Sequence, residues 1–298
     1  MFRLKRLLAP FVLCIALLFS EAQAFTIAWL SDTQNYHNAY KPIFDGMTQW
    51  IADNRAALDI RFVFHTGDVV GSWSSEDQWR QARESMDILS SASIPFLTVC
   101  GNHDIGYRMN YANFLKYVLS LRPASMSQEY GDTGSRYELF SANGRDYIFI
   151  GIAFSNKGPS EDEVNWINGV LRQYSSRDAI IITHSYLKKS AAYTTQGKAI
   201  FEKIVKANPN VFLVLCGHCR DISYKNVQLD DDGDGDPDRT VYAILSNFQG
   251  SKAGGGGYMR ILDFRDSDIY IYTYSPYYDS CEYPKYPKGK TEATVPLP

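Results

Sequence analysis

The chain has little that would tie it to nucleic acid, to a bilayer or to a disulfide framework. Basic residues are not in excess: 30 Lys+Arg stand against 33 Asp+Glu, a formal net charge of −3 at pH 7. A nucleic-acid-binding face usually carries the opposite balance, so no nucleic-acid partner is expected. Beyond residue 24 no stretch is long and apolar enough to cross a membrane. Cysteine is sparse, at five residues, and Cys14 lies near the N-terminus. Cys100 and Cys216 end apolar runs and read as buried thiols, while Cys219 with Cys281 is the favoured pairing among the three that four cysteines allow. No second Cys-x-x-Cys pair accompanies Cys219, which argues against zinc ligation there. No linker and no fixed-period repeat divides the chain. The run Gly254-Gly255-Gly256-Gly257 has no P-loop lysine after it, so it specifies no phosphate cradle. It lets backbone approach a pocket or serves as a mobile loop.

What is present begins with a leader. Arg3, Lys5 and Arg6 precede an apolar stretch, and Ala22-Gln23-Ala24 puts small residues where a signal peptidase reads. Residues 1–24 are expected to be a signal peptide, with an uncleaved anchor as the alternative. The mature chain would be secreted or periplasmic, with 27 Lys+Arg against 32 Asp+Glu and a net charge of about −5. Residues 25–275 are expected to form one domain. Residues 276–298, rich in Pro and Tyr, read as a tail that packs on the surface or is partly disordered.

Short apolar runs at 25–30, 60–64, 95–99, 147–154, 179–183 and 211–215 alternate with stretches of helical spacing at 41–57, 76–89, 111–121, 161–174 and 197–207. After residue 220 the helices stop, and 224–229, 240–245, 258–264 and 268–274 read as consecutive strands. An alternating first part leading into a strand meander predicts an α/β protein of two packed sheets with helices outside.

Polar residues fall where these strands end. The first is followed by Ser31-Asp32-Thr33-Gln34, the second by Gly67-Asp68, the third by Gly101-Asn102-His103-Asp104. Two later strands run into His184 and into Gly217-His218-Cys219-Arg220. Sites in open α/β sheets form at the carboxyl ends of strands, so these side chains would converge. Asp, Asn and His together offer oxygen and imidazole ligands suited to divalent manganese, iron or zinc. Any one of them alone would pass as turn chemistry. Five in order, each at a strand end, would not.

This ordered set resembles the calcineurin-like phosphoesterase family, whose motifs are D-x-H, G-D, G-N-H-[DE], a lone His and G-H-x-H. The resemblance spans about residues 26 to 250 and is most specific at Gly101-Asn102-His103-Asp104. It implies a four-layer α/β/β/α sandwich of two mixed sheets, a dinuclear metal site and hydrolysis of phosphomonoesters or phosphodiesters. In that pattern one metal takes Asp68, Asn102, His184 and His218, all present here. The other takes Asp32, the shared Asp68 and two histidines, which are replaced by Gln34 and Arg220. The first site is expected to hold one Mn, Fe or Zn ion. The second keeps only oxygen donors, Asp32, Asp68 and the Gln34 amide, and would suit Mg, Mn or Ca. Arg220 would bind a substrate phosphate bidentately in place of that ion, or else swing out to pair with Asp221.

The function this implies is a secreted, metal-dependent hydrolase of a small phosphorylated substrate. A metal-bound hydroxide would attack phosphorus, and His103 would protonate the leaving oxygen. Asp104 would orient His103 or make a turn. The alternative is a catalytically weak phospho-ligand-binding protein on the same fold, motivated by Gln34 and Arg220. Two histidines lie outside the motifs: His37 as a loop residue or a replacement ligand, His65 as a satisfied core residue. Finally, Asp230, Asp232, Asp234 and Asp238 alternate around Gly233 and Gly235, like a short extracellular calcium loop or a solvated hairpin tip. A structural calcium ion is the expectation there.

Overall fold

The computed structural model describes residues 24–106, 109–121, 127–287 and 289–298. Apart from Ala24, the expected signal peptide lies outside them.

Strand β1 (Phe25–Leu30) is buried along its whole length. Phe25, Ile27 and Trp29 point into one apolar core, Ala28 and Leu30 into another. A strand buried on both faces reads as an unbroken apolar run, which explains why alternation is absent from its sequence. β1 pairs in parallel with β2 (Ile60–His65), which pairs in parallel with β3 (Phe96–Thr98). On its other side β1 runs antiparallel to β11 (Met259–Phe264), followed by β12 (Asp268–Tyr274) and the edge strand β13 (Ala293–Pro296). The first sheet therefore has six strands.

The second sheet has seven. Its parallel centre is β6 (Arg145–Ile152), β7 (Asp178–Thr183), β8 (Val211–Cys216) and β10 (Arg239–Ser246). β5 (Ser135–Ala142) and β4 (Ser127–Tyr130) extend one edge, and β9 (Ile222–Leu229) closes the other, all antiparallel. Phe62, Phe64, Phe149, Ile180, Ile182, Leu213 and Leu262 fill the space between the sheets.

Helices cover the outer faces. Helix α1 (Lys41–Asp53), α2 (Glu76–Ser91) and α3 (Ala112–Tyr117) pack on the first sheet. Helix α4 (Glu161–Gln173) and α5 (Thr195–Ile200) pack on the second. Ser75 and Ser160 cap α2 and α4 by accepting the N–H groups of Gln78 and Glu163, with acidic residues in both first turns. The result is the four-layer α/β/β/α sandwich of two mixed sheets.

Three details differ from the sequence reading. The helix expected at 197–207 is α5 continued by a π turn, Phe201–Val205. The short strands β4 and β13 were not visible as apolar runs, because each lies at an edge where only one face needs to be apolar. The Cys219–Cys281 disulfide is not formed: both are free thiols, as are the buried Cys100 and Cys216.

One buried cation ties the layers together. Arg260 of β11 is fully buried, and its guanidinium donates to Thr273 Oγ1 of β12 at 2.8 Å, to Tyr224 Oη of β9 at 3.0 Å and to the Thr291 carbonyl. It thus joins both sheets and the segment leading into β13.

Candidate metal centre

The strand ends meet at one rim of the sandwich. Three residues there, Asp32, Asp68 and His218, hold positive φ angles of 52°, 54° and 71°. Non-glycine residues seldom adopt this left-handed backbone, and such strain gathers at functional sites. Two glycines make the crossing possible. A β-carbon on Gly101 would lie 2.2 Å from Asp68 Oδ1, and one on Gly217 would lie 2.3 Å from Asp32 Oδ2. The space a side chain would take is occupied by the carboxylates.

Four of the expected ligand groups come together. His184 Nε2 lies 3.1 Å from Asn102 Oδ1, 3.3 Å from Asp68 Oδ1 and 3.2 Å from His218 Nδ1. Ligands held about 2.1 Å from a single cation would stand roughly 3.0–3.5 Å apart, so these separations suit one ion. His184 is fully buried, and its Nδ1–H donates to the Thr66 carbonyl at 2.8 Å. That bond leaves Nε2 as the coordinating nitrogen. Burial pulls the His184 imidazole down, but Asp68 and Asp32 together carry it up to about 9. Burial and the His184 charge push His218 down to about 4. Burial raises the Asp68 carboxyl, yet His184 and the His103 N–H hold it below its ordinary value.

Asp32 sits beside this cluster, fixed by a chain of donors. Trp29 Nε1–H donates to Thr66 Oγ1 at 3.1 Å, the Thr66 hydroxyl to Ser31 Oγ at 2.8 Å, and Ser31 to Asp32 Oδ2. The His218 N–H adds bonds of 3.1 and 3.2 Å to the two Asp32 oxygens. Burial and the neighbouring Asp68 push the Asp32 carboxyl up, against the pull of His184, to about 7. Gln34 is buried and donates Nε2–H to Asp68 Oδ2 at 3.1 Å and to Gln249 Oε1 at 2.9 Å. Its Oε1 is buried with no hydrogen-bond partner among the described residues. Arg220 lies outside the cluster. It is exposed, its stem passes beside Gly250, and it makes no ion pair among the described residues. The expected alternative partner, Asp221, is buried and held instead by Lys189 at 2.8 Å and Lys285 at 3.0 Å.

His103 is exposed at the rim. Its backbone N–H donates to Asp68 Oδ1 at 2.9 Å, and its Nδ1–H donates to the Gly71 carbonyl at 3.0 Å, which leaves Nε2 open. Asp104 does not orient His103. It is buried and accepts the N–H groups of Gly101 (2.8 Å), Val70 (3.0 Å) and Val69 (3.1 Å), so it staples the loop after β2 to the loop after β3. His65 is the satisfied core residue expected: Nδ1 accepts the Gly67 N–H at 3.1 Å and Nε2–H donates to Thr33 Oγ1 at 3.0 Å. His37 pairs with Asn38 in the loop before α1.

Sequence reasoning missed Trp29, Ser31, Thr66, Asn247 and Gln249. The first three were readable as polar or hydrogen-bonding groups around a strand end. Asn247, which donates to the His218 carbonyl at 3.1 Å, and Gln249 come from the loop after β10 and carry no motif.

The acidic segment lies apart, joining β9 to β10. Carboxylate oxygens of Asp230, Asp232 and Asp238 lie within 4.8 Å of one another, and Asp234 is not among them. Asp230 accepts the Gly233 and Gly235 N–H groups, which hold its carboxyl below the ordinary value.

Comparison with known proteins agrees with this geometry. A family model described as Calcineurin-like phosphoesterase matches residues 25–219. An uncharacterized protein of Bacillus subtilis, YvnB, is 41% identical over 259 residues, covering 85% of this chain; the chain spans 20% of that relative's length. Among solved structures, a dimetal phosphatase from Danio rerio superposes with a TM-score of 0.62 at 13% identity, covering 91% of this chain and 98% of its own. A purple acid phosphatase from yellow lupin gives 0.59 at 12% identity, covering 93% of this chain and 55% of its own. GAP50 of Plasmodium gives 0.59 at 15% identity, over 92% and 89%. Likeness at such identities establishes the fold, and the family model and the ordered ligand set establish more: the chain belongs to the calcineurin-like phosphoesterase family.

Proposed function

We propose that this member of a metal-dependent phosphoester hydrolase family is a secreted or periplasmic phosphoesterase that works with one firmly held divalent ion. The observation that carries the reading is the convergence of Asp68, Asn102, His184 and His218 on one point. A cation there, of the manganese, iron or zinc type, supplies Lewis acidity and a water acidic enough to serve as nucleophile near neutral pH. The protein's own groups do the rest. Asp68 and His184 hold their orientation through the His103 N–H and the Thr66 carbonyl. His103, with Nε2 open, delivers a proton to the leaving oxygen as the ester P–O bond breaks and the new P–O bond forms. The products are phosphate, or a phosphomonoester, and an alcohol. Arg220, exposed beside Gly250, is the cation assigned to offset the charge of the bound phosphate.

The second family position is a poor fit for an ion. Gln34 turns its N–H, not its oxygen, toward Asp68 Oδ2, and no imidazole stands at Gln34 or Arg220. Purified protein is expected to hold one equivalent of metal by elemental analysis, and the double variant Gln34→His, Arg220→His to hold two. Two tightly held equivalents in the unmodified chain would overturn the single-ion reading. The same features favour the second reading, a ligand-binding protein with slow turnover.

One assay separates the two readings. Chelator-stripped protein is given manganese, magnesium, calcium or zinc, then a chromogenic phosphomonoester or phosphodiester, with Asp68→Ala as control. Turnover restored by metal and absent from the control supports the enzyme. Folded, metal-loaded protein that turns over neither ester would leave binding as the function.

A further inference from the structure

The metal centre does not end with the family motifs. The loop that leaves β10, residues 247–249, reaches two of the four converging ligands at once. Asn247 is buried, and its side chain is used at both ends. Its Nδ2–H donates to the His218 carbonyl at 3.1 Å, and its Oδ1 accepts the Gln249 N–H at 2.9 Å. Its backbone N–H donates to the Asp221 carbonyl at 2.9 Å, so the chain is held on both sides of Arg220. Gln249 faces the other ligand. Its Oε1 accepts one hydrogen of Gln34 Nε2 at 2.9 Å, and the second hydrogen goes to Asp68 Oδ2 at 3.1 Å. Asn247 and Gln249 both lie beyond the 25–219 matched by the family model.

The Gln34 amide has two ways to sit, and Gln249 decides between them. As it stands, Nε2 has both hydrogens engaged, while Oε1 is buried with no partner among the described residues. An unpaired buried acceptor is unfavourable, so another contact must outweigh it. Turned over, the same oxygen would meet Asp68 Oδ2 and Gln249 Oε1, two acceptors and no donor. Gln249 therefore keeps an N–H on Asp68. With Oδ2 taken by Gln34, Oδ1 is the oxygen left toward the cluster. It lies 3.3 Å from His184 Nε2 and accepts the His103 N–H at 2.9 Å.

We propose that Gln249 is a positioning residue of the metal centre: acting through Gln34, it holds Asp68 in the orientation that meets the ion, while Asn247 moors it to the His218 loop. Groups that orient a metal's ligands commonly carry about 10–100-fold of its affinity. The inference rests on the metal-site part of the reading above, and its test measures binding rather than turnover. Chelator-stripped protein is titrated with Co(II) against a competing chelator, and the visible absorption of the bound ion is recorded. Gln249→Leu is expected to weaken Co(II) binding about tenfold. Its visible band should also weaken, because Asp68 is then free to offer both oxygens. Gln34→Leu should do the same, and the double variant should bind no more weakly than Gln34→Leu alone, since the two act in series. Gln249→Glu, which keeps an acceptor at the same reach, should match the unmodified protein in affinity and band. Unchanged or tighter binding in Gln249→Leu, or additive losses in the double variant, would overturn the proposal. If Gln249→Leu does not fold, Gln249→Asn, whose amide falls one methylene short, takes its place against Gln249→Glu. Unmodified protein that binds no Co(II) would overturn the proposal together with the metal-centre reading. Affinity lost in the variants, with no ester hydrolysed by the unmodified protein, would uphold the proposal and remove the hydrolase reading.

Discussion

Asp104 accepts three backbone N–H groups from two loops, none of them able to reach another acceptor without moving. Leaving buried donors unpaired costs about 1–3 kcal/mol each. Asp104→Ala is therefore expected to lose about 3 kcal/mol or more of unfolding free energy in urea titration, and to release metal to a weak chelator. An unchanged midpoint would mean that the two loops do not depend on this staple. His65 offers a pH test. Burial, aided by the His184 charge, lowers its imidazole to about 3. The unfolded chain takes up that proton below its ordinary value of 6.5 and the folded chain does not, so stability falls as pH drops from about 6.5 toward 3. The slope is about 1.4 kcal/mol per pH unit for one proton. His65→Gln should unfold with about one fewer proton taken up between pH 4 and 6. An identical slope in the variant would contradict a neutral, buried His65.

At the scale of elements, the loops do what the strands alone could not. Gly101 lets Asp68 cross beneath the next loop at a distance no side chain permits. Gly101→Ala should keep the circular dichroism of the fold while metal content falls below a tenth of an equivalent; full metal content would show that the loop can yield. The acidic turn between β9 and β10 gathers three carboxylates in solvent. Millimolar calcium is expected to raise the melting temperature by a few degrees, and the Asp230→Asn, Asp238→Asn variant to lose that gain. These loops also show what a sequence can and cannot tell. Apolar strands buried on both faces, and the Asp, Asn and His at their ends, were readable because burial and ligation each demand particular residue types. Gln249 and Asn247 were not, because hydrogen bonding through an amide selects no motif. Asp104 was read either as orienting His103 or as making a turn: it accepts the Gly101 N–H of its own turn and does not bind His103, and only the fold shows that the Val69 and Val70 N–H groups join it.

At the scale of the molecule, the two sheets are joined by apolar packing and by Arg260. Burial lowers this guanidinium from its ordinary value, offset in part by Tyr224. Arg260→Ala would leave the Thr291 carbonyl and Tyr224 hydroxyl unpaired and open a cavity, a loss of about 3–5 kcal/mol. For a domain of this size that corresponds to a fall in melting temperature of roughly 6–15 °C, readable by calorimetry. A smaller fall, under about 2 °C, would show that the sheets hold without it.

Arg260 also bears on the order in which the chain can close. All five ligand positions exist once residue 218 has been made, but Asn247, which holds His218, Gln249, which bonds Gln34, and β11, which flanks β1, come later, and Arg260 gathers the last segment through Thr291. Contacts spanning 31 and 36 residues close later than local ones. In the life of a single chain, the candidate ligands are thus written well before the segments that clamp them in place.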